Sequence, residues 1–291
     1  MNVIYFSLPS NEELTKTLAQ KSKAEVGKVE IRYFPDKETY IRVLSDVKQK
    51  HVVLVCTLHQ PDDKLLPLYF LSQTIKLLGA TSVNLISPYL AYMRQDKVFN
   101  EGEGVTSTYF AKLISSFADS LITIDPHLHR RSSLNEIYTI PTKVAHAANH
   151  ISAWIKKNIS NPVLIGPDEE SEQWVADVAK NADAYFTVLK KIRHGDNDVE
   201  VSVPHIEKYK TCTPVLVDDI ISTGRTMIET INHLKQAGMK APICIGVHAV
   251  FADNAYKNIQ DAGAVRIVTC NTIPHLSNQI DISDLLKIEF L

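Results

Sequence analysis

Residues 214–226 constrain the fold more than any other stretch. They read Pro-Val-Leu-Val-Asp-Asp-Ile-Ile-Ser-Thr-Gly-Arg-Thr. Val215, Leu216 and Val217 form a short apolar run of the kind buried on both faces of a parallel sheet. Asp218 and Asp219 stand where that strand should end, and Ser222 to Thr226 make a tight, hydroxyl-rich turn. Beyond the turn, apolar residues at 227, 228, 231 and 234 have the spacing of an amphipathic helix, which Gly238 closes. A helix starting there offers unpartnered N–H groups and the positive end of its dipole to an anion. Two neighbouring carboxylates can hold sugar hydroxyls or a Mg2+ ion. The layout suits a sugar phosphate. A plainer reading, two acids capping a turn, leaves the accompanying glycine and hydroxyls without a purpose.

The remaining chain alternates strands with helices. Strands are expected at 2–6, 28–34, 40–44, 51–56, 82–86 and 120–125. Ser10 with Glu13 has the capping-box pattern, which predicts a helix over 11–22. Further helices are expected at 65–78 and 107–117, and the Glu-Gly-Glu-Gly stretch within 98–104 reads as a mobile loop. After about residue 145 the pattern restarts, with helices at 144–157, 172–181 and 254–262. Strands fall at 162–166, 185–191, 199–203, 241–250 and, as the last, 265–270. Such alternation implies right-handed βαβ units around mainly parallel sheets.

The halves also resemble one another. Residues 52–80 and 214–238 both run strand, turn, helix and glycine, ending Lys-Leu-Leu-Gly and Lys-Gln-Ala-Gly. Where the second copy has Asp218-Asp219-Ile220, the first has Cys56-Thr57-Leu58, so only the second keeps the phosphate-loop chemistry.

Composition excludes several classes. The 291 residues are 45% apolar and 22% charged, ordinary for a globular protein. A net charge of −2 gives no support for non-specific nucleic-acid binding. Cys56, Cys212, Cys244 and Cys270 are far apart, which points to a reducing compartment and no structural zinc. The N-terminus lacks a basic segment followed by an apolar run, and no stretch approaches 18 apolar residues. A cytoplasmic protein without membrane partners is expected.

Asp218 to Thr226 resembles the phosphoribosyl-diphosphate loop of type I phosphoribosyltransferases and ribose-phosphate pyrophosphokinases. Six further segments, in family order, resemble the pyrophosphokinases. They are Phe34-Pro-Asp-Lys-Glu38, Tyr92-Met-Arg-Gln-Asp-Lys97 with the following Gly102-Glu103, Asp125-Pro-His127, Gly166-Pro-Asp168, Lys191-Ile-Arg193 and Asn271-Thr-Ile-Pro274.

That resemblance implies an α/β chain of two tandem phosphoribosyltransferase-like domains, each a mainly parallel sheet flanked by helices. The first would span 1–145 and carry ATP-side residues. The second would span 146–291 and carry the ribose 5-phosphate loop, its last helix packing back on the first domain. The implied reaction moves the diphosphoryl group of ATP to ribose 5-phosphate, with Mg2+ as cofactor and a homo-oligomer, dimer or hexamer, as the assembly.

By the same resemblance, Lys191 and Arg193 would stabilise the transferring phosphates. Phe34, Asp36 and Glu38 would line the adenine pocket, and Arg94 and Gln95 would contact ATP. Asp218 and Asp219 would hold ribose hydroxyls and metal, while Ser222, Thr223, Gly224 and Thr226 wrap the 5-phosphate. His127 and Asp168 would be metal ligands. The chain departs from the family pattern at Lys37, Gly104, Glu169-Glu170-Ser171 and Arg225, positions that bear on affinity and control. The competing functions are a non-catalytic regulatory homologue and a phosphoribosyltransferase.

Overall fold

The computed structural model describes residues 2–128, 130–168, 171–193, 199–202, 204 and 206–288, with backbone alone at 190–193 and 199–202. The chain divides into two compact units, Met1–Ala145 with Ser283–Leu291, and His146–Ile282.

The first unit runs β1 (Val3–Ser7), α1 (Glu12–Lys21), β2 (Glu25–Val26), the hairpin β3 (Val29–Tyr33) and β4 (Thr39–Val43), and β5 (His51–Val55). It continues with α2 (Asp62–Leu77), β6 (Ser82–Ile86), α3 (Thr106–Phe117), β7 (Ser120–Ile124) and β8 (Thr142–Ala145). Six of these strands form one sheet in the order β2-β1-β5-β6-β7-β8, every neighbouring pair parallel. The runs in β5, β6 and β7 do not alternate because helices cover both faces. Val52 to Val55 are at most 1% exposed, and Leu68, Leu71, Ile75 and Ile114 are fully buried.

The second unit runs α4 (Ala148–Asn158), β9 (Pro162–Gly166), α5 (Glu172–Ala182), β10 (Tyr185–Val188), and the hairpin β11 (Lys190–Arg193) and β12 (Val199–Ser202). Then come β13 (Thr213–Ile221), α6 (Arg225–Gln236), β14 (Ile243–Ala249), α7 (Ala255–Ala262), β15 (Arg266–Cys270) and β16 (Asn278–Ile280). Its sheet is also parallel, in the order β10-β9-β13-β14-β15-β16. Both sheets therefore order their strands 2-1-3-4-5-6 by chain position, and both insert a hairpin between the second strand and the third. The internal repeat is a repeat of topology.

Several local expectations are corrected. Ser10 and Glu13 form no capping box. Ser10 is left-handed at φ 71, its N–H meets Glu12 Oε1 at 3.2 Å, and Asn11 precedes the helix. The Asn11 amide is drawn elsewhere, accepting from Thr57 N at 2.9 Å and donating to Pro9 O at 3.0 Å. Helix α2 begins at Asp62 rather than 65, with Pro61 preceding it and Pro67 inside. Residues 185–191 are not one strand: β10 ends at Val188, and β11 turns away to pair antiparallel with β12. The expected helix at 144–157 starts at Ala148 because Thr142–Ala145 joins the sheet as β8. β16 follows the strand expected to be last. Residues 99–103 form a turn closed by Glu103, whose Oε2 accepts from Phe99 N at 2.8 Å and Asn100 N at 3.0 Å.

The C-terminal segment belongs to the first unit as a 3-10 turn, Ser283–Leu286. Lys21 Nζ donates to Ser283 Oγ and Asp284 Oδ1, both at 2.6 Å. All four cysteines are free and buried, and burial pushes the Cys56 and Cys244 thiols up to about 12. Among the described residues no helix is long and apolar enough to cross a membrane.

Candidate active site

β13 carries the acid pair further than the sequence suggests. Its ladder with β9 stops at Leu216, but its ladder with β14 continues through Asp218 and Ile220 to Ile221. The carboxylates thus lie within the strand, beyond the point where β9 covers it. Ser222 and Thr223 turn the chain, and Gly224 precedes α6 with φ 70. Only glycine suits that place, because an added Cβ would stand 2.7 Å from Ile259 Cδ1 and the backbone is left-handed. Phe251 N donates to Ile221 O at 2.9 Å and Ala252 N to Ser222 O at 3.1 Å, fastening the loop from behind. Thr226 is half-buried, Arg225 exposed, and the first turn of α6 holds no acidic residue.

Burial, then the adjacent Asp219 carboxylate, holds the Asp218 carboxyl well above the usual carboxylate range, and Asp168 adds to the effect. Asp168 follows β9, the sheet neighbour of β13. Its Oδ1 accepts from Ser171 N at 3.0 Å, and Ser171 Oγ donates to Asp168 O at 2.7 Å. One oxygen of this expected metal ligand therefore shapes the turn into α5. A small, mainly apolar void, with room for about one water, lies beneath Gly166, Asp218, Met227 and Thr226. Glu169 and Glu170 lie outside the described residues, as does His129. Lys191 and Arg193 are placed by backbone on β11, opposite Val201 and Val199.

The other candidates belong to the first unit. Phe34, Asp36 and Glu38 form the tip of the β3–β4 hairpin, all exposed. Phe34 N donates to Glu38 O at 2.8 Å, and Glu38 N to Asp36 Oδ1 at 3.1 Å. Lys37 takes φ 72 where the resembling segment has glycine. Arg32 lies over the Tyr40 ring at 4.0 Å and the Phe34 ring at 5.0 Å, so one hairpin face carries a cation between two aromatics. Ile31 and Ile41, on the opposite face, pack on the core.

Arg94 and Gln95 follow β6. Arg94 is exposed, while Gln95 Oε1 accepts from Thr106 Oγ1 at 2.8 Å. His127 follows β7, the sheet neighbour of β6, and is half-buried. Asp125 before it has φ 33 and donates its N–H to Ala145 O at 3.0 Å.

Sequence reasoning passed over Arg130 and Arg131. Arg130 Nη1 meets Asp96 Oδ1 at 3.1 Å, and Arg131 Nη2 reaches Asp96 O at 3.5 Å. Their available signal was adjacency to Asp125-Pro-His127.

The residues fit a divalent cation. Asp218 and Asp219 are like-charged oxygen donors, and their proximity keeps one carboxyl protonated to higher pH. Among the described residues, no three His, Cys, Asp or Glu side chains gather as a metal cage. An adjacent carboxylate pair suits a divalent cation that takes few protein ligands and completes its shell with phosphates and water.

Two parallel α/β units, one bearing a glycine-hinged loop after an acid pair, define a protein of the phosphoribosyltransferase fold class. A family model described as phosphoribosyl transferase domain matches residues 133–283, and one described as N-terminal domain of ribose phosphate pyrophosphokinase matches residues 3–117. The ribose-phosphate pyrophosphokinase of Sulfurisphaera tokodaii is 31% identical over 89% of this chain and 89% of its own. That of Sulfolobus acidocaldarius is 32% identical over 94% of this chain and 93% of its own. The crystal structure of phosphoribosylpyrophosphate synthetase from Mycobacterium smegmatis shares the fold, with a TM-score of 0.80 at 22% identity, covering 94% of this chain and 90% of that one. The chain belongs to the ribose-phosphate pyrophosphokinase family.

Proposed function

We propose that the protein transfers the β,γ-diphosphoryl group of ATP to the 1-hydroxyl of ribose 5-phosphate, giving 5-phosphoribosyl 1-diphosphate and AMP. The observation that carries this reading is the second unit's loop. Its acid pair lies beyond the cover of β9, and its left-handed glycine leads into a helix start without acidic residues. Ser222, Thr223, Gly224 and Thr226 wrap the 5-phosphate with hydroxyls and N–H groups. Asp218 and Asp219 accept hydrogen bonds from the ribose hydroxyls.

The sugar hydroxyl attacks the β-phosphorus and AMP departs. No side-chain nucleophile is needed; positioning and charge neutralisation suffice. Lys191 and Arg193 stabilise the transferring phosphates as a point charge and a planar fork. Phe34, Asp36 and Glu38 receive the adenine, and Arg94 and Gln95 contact the nucleotide. His127 and Asp168 are the candidate ligands for one Mg2+, and Asp218 and Asp219 would hold a second beside the ribose hydroxyls; bound there, the ions would supply Lewis-acid neutralisation of phosphate charge. A cytoplasmic homo-oligomer is part of the same reading, and light scattering of the purified protein checks the assembly.

The test is incubation with Mg-ATP and ribose 5-phosphate. AMP should appear only when the sugar is present. Absence of sugar-dependent AMP across a range of phosphate and Mg2+ concentrations would refute the reading.

A further inference from the structure

We propose that Arg130 and Arg131 are positioning residues that fix the nucleotide segment 94–97 to the connection carrying His127. The inference rests on the ATP reading above and adds two residues to it.

Residues 94–97 lie outside any strand or helix; one backbone bond, Ser107 N to Gln95 O at 3.3 Å, ties them to the start of α3, and side-chain bonds supply further anchors. Asp96 is the anchor. Its side chain is 2% exposed, and a carboxylate so placed needs a cationic partner. Arg130 supplies it, with Nη1 at 3.1 Å from Oδ1 and 3.4 Å from Oδ2. Arg130 is itself 38% exposed and its guanidinium lies 5.7 Å from the centre of the Phe99 ring. Lys97 Nζ approaches the same ring at 5.0 Å. The segment is thus gripped by its carboxylate, with its next aromatic residue flanked by two cations.

Arg131 grips the backbone of the same residue. Its side chain is 15% exposed, and Nη2 donates to Asp96 O at 3.5 Å, Ser107 Oγ at 3.4 Å and Thr108 Oγ1 at 3.4 Å. It also pairs with Glu136 at 3.9 Å, and Nε is buried without a hydrogen-bond partner among the described residues. One guanidinium therefore joins the nucleotide segment, the first turn of α3 and the 132–136 turn. A lysine cannot reproduce this, because the contacts need several donors in one plane. Gln95, held by Thr106 at the same helix start, and Arg94 beside it inherit the position.

The test separates positioning from chemistry by measuring binding without turnover. Calorimetry with Mg2+ and a non-hydrolysable ATP analogue is run on wild type, R130Q, D96N and the double variant, with KM for both substrates measured alongside. R130Q and D96N should each weaken nucleotide binding at least about fivefold, with the KM for ribose 5-phosphate within about twofold. The double variant should be no weaker than the worse single one, since both remove the same pair. R131K should lose affinity although the charge is kept; should it fail to fold, the exposed Arg130 still decides. Wild-type affinity in R130Q, equal loss toward both substrates, additivity in the double variant, or a wild type that binds no nucleotide would each overturn the proposal. A wild type that binds nucleotide yet makes no AMP would sink the reaction reading and leave this one standing.

Discussion

β5 and β13 hold the same place in their sheets and end in opposite chemistry. After β5, the first unit completes its own bonds. Thr57 N is taken by Asn11 Oδ1 at 2.9 Å, and Lys64 Nζ donates to Thr57 O at 3.0 Å and to His59 Nδ1 at 2.9 Å. Helix α2 opens with Asp62 and Asp63, which complement its dipole. After β13, the second unit has like-charged carboxylates, a left-handed glycine and Arg225 at the first position of α6. A cation there opposes the helix dipole, which is tolerable where an anion will sit. One scaffold thus carries a loop that closes on its own lysine and a loop that keeps two neighbouring carboxylates together.

The inserted hairpins sharpen the contrast most. Lys191→Ala should lower turnover by roughly 10^2 or more, the scale of one lost transition-state contact. Phe34→Ala, on the first unit's hairpin, should instead raise the KM for ATP by about tenfold with a smaller effect on turnover. Steady-state kinetics showing the same parameter moved by both would erase the division of labour.

Next come the loop backbones. Gly224→Ala should weaken ribose 5-phosphate binding by about tenfold and lower stability by about 1–2 kcal/mol, the cost of a left-handed alanine. Gln60, left-handed at φ 50 in the first unit, should respond in the other direction. Gln60→Gly should raise stability slightly and leave the sugar KM alone. Thermal melts and substrate titrations check both.

The loops should also answer pH oppositely. Burial, then the Lys64 charge, lowers His59 to about 4, so the unfolded chain takes up its proton first as pH falls below about 6.5. That contribution is complete above about 6.5 and is lost on acidification toward 4. For Asp218 the folded value is raised, so the folded state keeps its proton longer. Its contribution to stability is greatest below the ordinary carboxylate range and declines as pH rises through the raised value. Denaturant titrations of His59→Gln and Asp218→Asn should each flatten one limb of the stability profile. Loss of both limbs in a single variant would break the assignment.

The smallest effect lies at the hairpin tip. Lys37→Gly should stabilise by no more than about 1 kcal/mol, because a lysine at φ 72 is strained where glycine is not. Chemical denaturation would read it.

These contrasts show what a linear chain discloses. Runs such as His51–Val55 and Pro162–Gly166 announced buried parallel strands, since covered sheets leave no alternation to misread. The Ser-Thr-Gly-Arg-Thr turn announced its helix, because glycine and hydroxyls act locally. Strand pairing acts at a distance, and there the sequence was silent. Nothing local says that β14 extends β13 past Asp219, or that Thr142–Ala145 closes a sheet edge. Ser10 stands outside the helix in a left-handed conformation, so its box with Glu13 cannot close, and Asn11, which precedes the helix instead, has a partner 46 residues away. Arg130 and Arg131 resembled solvated basic residues until the fold brought Asp96 to them.

The buried cysteines equip the protein to report on itself. Cys56 belongs to the first unit, and Cys212, Cys244 and Cys270 to the second; none is more than 3% exposed. A thiol reagent can reach them only when the surrounding strands open. Cys244 stands opposite Leu216 on the strand that carries the acid pair. Its labelling rate is therefore a clock on the opening of the loop's own foundation, while Cys56 keeps separate time in the other unit.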